Sequence, residues 1–172
     1  GGEVSLLELV SAYSVFANDG VRNPYNATLR VYDSKNQILE EYTPSPRRAL
    51  SEDTARKISD ILSDNTARIP AYGATSILYV TERPVAVKTG TTNDFKDAWI
   101  VGFTPNVVVG AWVGNNENVS MEKKVAGFIV APMWRELVNK ILPDLPVELF
   151  EKPAPTDPNL KPVLRGDWQS GG

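Results

Sequence analysis

VAVKTGTTNDFKDAWIVGF, Val85 to Phe103, is the stretch from which the rest of the chain can be read. Its opening Val-Ala-Val reads as buried strand, yet Lys88, Thr89, Gly90 and Thr91 follow with no turn signal between. An ammonium flanked by apolar residues has to reach water or a partner, because burying it unpaired is costly. Side chains alternate in a strand, so Thr89 and Thr91 fall on one face and Lys88 and Gly90 on the other. A glycine weakens a strand interior, and its usual justification is the close approach of a ligand or another backbone. Two hydroxyls, a cation and exposed amides suit an extended chain ending in a carboxylate, held by strand addition and charge-assisted hydrogen bonds. The same string also fits a solvated strand edge whose lysine discourages aggregation. The residues alone leave both readings open. A phosphate loop does not fit, since no G-x-x-x-x-G precedes Lys88 and the string lies mid-strand.

Outward from this stretch the pattern is antiparallel sheet, with PVAVKTGTT, DAWIVGF and VVVGAWVGN as three strands, the last two joined through Thr104-Pro105-Asn106. Upstream, Val4 to Phe16 places Leu6, Leu9, Val10, Tyr13 and Phe16 at helical spacing, and Asn18-Asp19-Gly20 supplies a stop. TLRVYD and QILEEY form a hairpin about Ser34-Lys35-Asn36. Ser51 caps a helix whose first turn carries Glu52 and Asp53 and whose inner stripe is Ile58, Ile61 and Leu62. Thr66 to Arg83 shows no sustained period and is expected to be a loop. Downstream, Phe128 to Leu142 is a final helix, with Pro132 near its first turn and Ile129, Met133, Leu137 and Ile141 facing inward. Six of the thirteen prolines lie from Pro143 to Pro162, so the character there changes to a linker or extended segment.

Composition narrows the chemistry. At 172 residues, with 42 % hydrophobic and 23 % charged residues, the chain suits one domain with a core plus a tail. Its net charge of −3, with only short basic pairs, gives no phosphate-tracking surface, so nucleic acid is not an expected partner. No apolar run approaches the roughly 18 residues of a membrane helix. The absence of His and Cys removes His acid/base chemistry, thiol nucleophiles and the usual zinc sites, leaving Ser, Thr, Lys, Tyr and carboxylates. No metal or cofactor is expected.

KTGTT followed by NDFKDAWIVGFTPNVVVGAWVGNNE, and preceded by EVSLLELVSAYSVFANDGV and RPVAV, resembles the C-terminal half of the transpeptidase domain of class A penicillin-binding proteins. The likeness runs from about Val4 to Leu142, and Lys-Thr-Gly is a known motif of these proteins and of serine β-lactamases. The resemblance implies an α+β fold with helices on the faces of an antiparallel sheet, residues 1–142 being the C-terminal part of that domain and 143–172 a Pro-rich tail. It implies a peptidoglycan D,D-transpeptidase in which a serine attacks a stem peptide ending in D-Ala-D-Ala, and which β-lactams acylate. It further implies catalytic roles for Lys88 and Thr91 and substrate binding by Thr89, Gly90 and Thr91: charge from Lys88, carboxylate bonds from the two hydroxyls, and an oxyanion donor in the Thr91 N–H.

In the family, Ser-x-x-Lys and Ser-x-Asn precede the helix that resembles Val4 to Phe16, so the chain is expected to carry half of an active site. Its partner would be the N-terminal remainder of the domain, in a parent anchored on the outer face of a bacterial membrane. Ser120-Met121-Glu122-Lys123 matches Ser-x-x-Lys by letters but follows KTGTT in a polar segment instead of opening a buried helix. Two other readings stay open: a D,D-carboxypeptidase or β-lactamase-like serine hydrolase, and a noncatalytic module that binds cell-wall peptide.

Overall fold

The computed structural model describes residues 2–121 and 123–165. Its centre is a three-stranded antiparallel sheet of β5 (Ala86–Thr91), β6 (Asp97–Thr104) and β7 (Val107–Gly114), in the order β5-β6-β7. The register pairs Ala86 with Phe103 and Thr91 with Ala98, then Asp97 with Gly114 and Thr104 with Val107. All three strands are the ones that the sequence predicts. The α+β architecture is completed by α1 (Leu6–Ala17), α2 (Glu52–Ser63), α3 (Asn65–Tyr72), α4 (Ala126–Ile129), α5 (Ala131–Ile141) and α6 (Pro162–Arg165). Two small antiparallel pairs join them, β1 (Val21–Arg22) with β4 (Arg47–Arg48) and the hairpin β2 (Arg30–Tyr32) with β3 (Ile38–Glu41).

Helices cover both faces of the central sheet, and glycines let them come close. A Cβ at Gly110 would lie 2.3 Å from a methyl of Val10 on α1, and one at Gly102 would lie 2.1 Å from the indole of Trp134 on α5. Gly110 pairs with Val101, the neighbour of Gly102 on β6, so the two glycines point to opposite faces. Ser5 starts α1 with a capping box, its hydroxyl accepting from the Glu8 N–H while Glu8 reaches back to the Ser5 N–H. The Ser5 hydroxyl, donating to the Glu8 carboxylate at 2.8 Å, and then the Ser5 N–H hold that carboxyl below its ordinary range. Ser51 caps α2 as the sequence predicts, accepting from the Thr54 N–H.

Three expectations are corrected. Thr66 to Arg83, read as loop, begins inside a helix, Asn65–Tyr72, capped by Asp64, whose carboxylate accepts from the Ala67 N–H. It buries no residue, so no apolar period could reveal it, and Pro70 inside it reads as a breaker. In α2 the buried positions are Ala55 and Ser59, while Ile61 is 67 % exposed; small side chains let the helix lie close to its neighbours. The last helix is two, divided at Val130, and Met133 and Leu137 are 49 % and 43 % exposed. Its inner stripe is Ala131, Trp134 and Val138. The stripe is rotated because Trp134, fully buried, fills the space that Gly102 leaves and donates its indole N–H to Val109 O at 3.0 Å.

The segment after Ile141 forms one short 3₁₀ turn, Leu142–Asp144, and then runs without regular structure to α6. It does not hang free. Phe150 meets Phe103 edge to face at 5.7 Å, beside Tyr13 and Phe16, and the Ala154 N–H donates to Asp53 at 3.0 Å. Arg83, 7 % exposed, donates to the carbonyls of Leu142, Leu145 and Pro146 and ties this segment to the entry of β5.

Candidate active site

The strand order leaves β5 with one side unpaired. The Thr92 N–H donates to Asp97 O at 3.1 Å across the ladder, and bonded pairs alternate in an antiparallel sheet. Gly90 and Lys88 therefore spend their backbone groups on β6, and Thr89 and Thr91 turn theirs to the open edge. Consistent with this, Thr89 O accepts the Lys88 ammonium, which is exposed and forms no ion pair among the described residues. Lys88 is thus received at the strand edge, beside outward-turned amides. Gly90 has no Cβ, yet one could be added: the nearest atom would be Trp99 Cβ at 3.6 Å, an ordinary contact. Nothing inside the described chain requires a glycine there.

The threonine hydroxyls are both engaged from behind. Thr91 Oγ1 accepts the Ala126 N–H at 2.8 Å, and Thr89 Oγ1 lies 2.8 Å from the phenol oxygen of Tyr72. An accepting hydroxyl keeps its own proton to donate elsewhere. The far end of β5 is pinned by Thr92 and Asp97. Thr92 Oγ1 donates to the Asp97 carboxylate at 2.8 Å and accepts the Asp97 N–H at 2.8 Å, while the Trp112 indole N–H donates to the same carboxylate at 2.9 Å. The strand's geometry is set on two sides before any ligand arrives.

Lys88, Thr89, Gly90 and Thr91 are brought together, as four consecutive residues must be. Tyr72 and the Ala126 amide went unread in the sequence. Tyr72 ends a helix with no periodic signature, and a backbone N–H carries no residue signal. Ser120 and Lys123 are exposed and neither lies in a helix, unlike the buried helix opening that the resemblance implies for Ser-x-x-Lys. By letters Ser-x-Asn does occur, at Ser34-Lys35-Asn36 and Ser63-Asp64-Asn65, contrary to the expectation that the chain lacks it. The first is the exposed hairpin turn. In the second, Ser63 donates to Asp60 O, Asp64 caps α3 and Asn65 accepts from Arg68. Both are spent on local structure. No group of three or more His, Cys, Asp or Glu that could hold a metal ion occurs among the described residues.

Comparison with known proteins places these observations in a family. The model of the penicillin binding protein transpeptidase domain matches residues 1–137. Penicillin-binding protein 1A of Aquifex aeolicus is 37 % identical over 152 residues, covering 88 % of this chain and 20 % of that protein. Penicillin-binding protein 1A of Neisseria gonorrhoeae is 34 % identical over 139 residues, covering 77 % and 17 %. The chain thus spans about a fifth of the length of the curated relatives it matches. Among solved structures, PonA1 of Mycobacterium tuberculosis in complex with penicillin V superposes with a TM-score of 0.75 at 22 % identity, over 87 % of this chain and 41 % of that one. Penicillin-binding protein 1A of Haemophilus influenzae gives 0.73 at 22 % identity, over 88 % and 28 %. These structures share the fold, and with a family model spanning most of its length the chain belongs to the penicillin-binding protein transpeptidase domain family.

Proposed function

We propose that this chain supplies the carboxylate-binding wall of a peptidoglycan D,D-transpeptidase site, which β-lactams acylate in place of the stem peptide. The observation that carries the reading is the open edge of β5, where the backbone of Thr89 and Thr91 faces outward beside the exposed Lys88. A stem peptide lies along that edge as an added strand. Its terminal carboxylate accepts from the hydroxyls of Thr89 and Thr91, and Lys88 supplies positive potential to the carboxylate and to the attacking serine's proton transfer. The serine belongs to another part of the full-length protein. As the carbonyl carbon becomes tetrahedral, the Thr91 N–H donates to the oxygen that takes up the negative charge. The leaving D-alanine takes a proton; an amine of a neighbouring stem then attacks the ester, the acyl group passes from the serine to that amine, and the amine's proton returns to the serine oxygen. The penicillin V complex of the similar PonA1 supports the β-lactam half of this reading.

The parent is read as membrane-anchored on the outer face of a bacterial cell membrane, with the anchor outside the described residues, where no helix is long and apolar enough to cross a membrane. The test is Lys88→Ala in the full-length protein, scored by the second-order rate of labelling with fluorescent penicillin. Loss of a charge at the reacting centre predicts a fall of about a hundredfold or more, with melting temperature unchanged. A wild-type rate in the folded variant returns Lys88 to the role of an edge-strand solubiliser.

A further inference from the structure

The geometry points to Tyr72 as a positioning residue that presets Thr89 as a hydrogen-bond donor toward the ligand carboxylate. The inference rests on the proposed reading of the β5 edge. Tyr72 is the last residue of α3, and Gly73 at φ +79° ends the helix there. Its ring lies against the backbone of Gly127 at α4, close enough that a Cβ on Gly127 would stand 2.5 Å from the ring edge. The phenol is therefore held in place, with its oxygen 2.8 Å from Thr89 Oγ1.

Proton direction follows from chemistry. A phenol is a stronger hydrogen-bond donor than an alkyl hydroxyl, because its ring draws electron density from the oxygen, so Tyr72 donates and Thr89 accepts. Thr89's own proton then has to point elsewhere, and a hydroxyl that accepts one bond is a better donor in the next. Thr91 is arranged alike, since its oxygen already accepts the Ala126 N–H and only its proton is left to give. Two threonines on one face of the strand, each accepting from a donor of its own, make a pair of O–H groups with protons left to give. A carboxylate, which only accepts, is the ligand group that fits such a pair. A neutral ester or an ammonium is served less well.

The experiment uses the full-length protein and two probes, benzylpenicillin and its methyl ester, which differ in that carboxylate alone. In Tyr72→Phe the ring that fills the space over Gly127 is kept and only the hydroxyl is lost. Its acylation by benzylpenicillin is expected to fall about tenfold, the scale of one lost and one weakened hydrogen bond, while the methyl-ester rate stays within about twofold of wild type. Thr89→Val should lower the acid rate too, and adding Tyr72→Phe to it should cost nothing further, because both act through one hydroxyl. Equal losses for acid and ester would reduce Tyr72 to a packing residue and overturn the inference, as would an unchanged Tyr72→Phe beside a slowed Thr89→Val. If Thr89→Val itself leaves the acid-to-ester ratio at the wild-type value, the carboxylate reading of β5 fails, and the role of Tyr72 with it.

Discussion

Gly90→Ala separates the demands of the fold from those of a ligand. A Cβ at this position meets nothing nearer than Trp99 Cβ at 3.6 Å, and the backbone of Gly90 is not in the positive-φ region. The substitution therefore costs the fold nothing in contacts. It removes conformational freedom from the unfolded chain, which stabilises by about 0.4–1 kcal/mol where the native backbone accepts the residue. The new methyl nevertheless stands on the strand where a bound peptide or β-lactam would lie. A displacement of the reacting carbonyl by about 1 Å costs on the order of a hundredfold in rate. The prediction is a full-length Gly90→Ala protein at least as stable as wild type and acylated by penicillin at least tenfold more slowly. Gly102→Ala is the internal contrast, because there the Cβ would lie 2.1 Å from the buried Trp134 indole. Overpacking of that kind destabilises by about 1–3 kcal/mol. Differential scanning calorimetry and labelling with fluorescent penicillin measure the two effects. Unimpaired acylation of Gly90→Ala would remove the close-approach reason for the glycine, and a drop in its melting temperature would refute the open space at that position.

Trp134→Phe removes a donor from the buried carbonyl of Val109 and leaves a void in the face of the sheet, so a loss of about 2–4 kcal/mol is expected in urea unfolding. An unchanged midpoint would mean that the bond and the indole's fit contribute nothing. Phe150→Ala tests whether the segment after Ile141 belongs to the folded unit: losing the edge-to-face contact with Phe103 predicts about 1–2 kcal/mol of destabilisation, whereas a mere linker predicts none.

Local composition made the central sheet legible. Val85 to Phe103 and the valine-rich run after Asn106 are short apolar runs of β-branched and aromatic residues bounded by turn residues, so the strands were legible to within a few residues. Ser51 as a cap and the stop at Asn18-Asp19-Gly20 were legible because each acts through its immediate neighbours. The Lys-Thr-Gly-Thr string set cation, hydroxyls and glycine side by side, a short-range composition that fits a carboxylate ligand and a solvated strand edge alike.

Tertiary structure decided whatever depends on residues distant in the chain. Which stripe of α5 turns inward was settled by Gly102 on another strand, which alone makes room for Trp134. The helix ending at Tyr72 has no apolar face to announce it, and its meaning lies in a bond to Thr89, seventeen positions on. That Thr89 and Thr91, rather than Lys88 and Gly90, turn their amides to the open edge follows from pairing phase. A strand's own residues cannot encode that phase, because which alternate set bonds to the neighbour depends on the register of the partner strand.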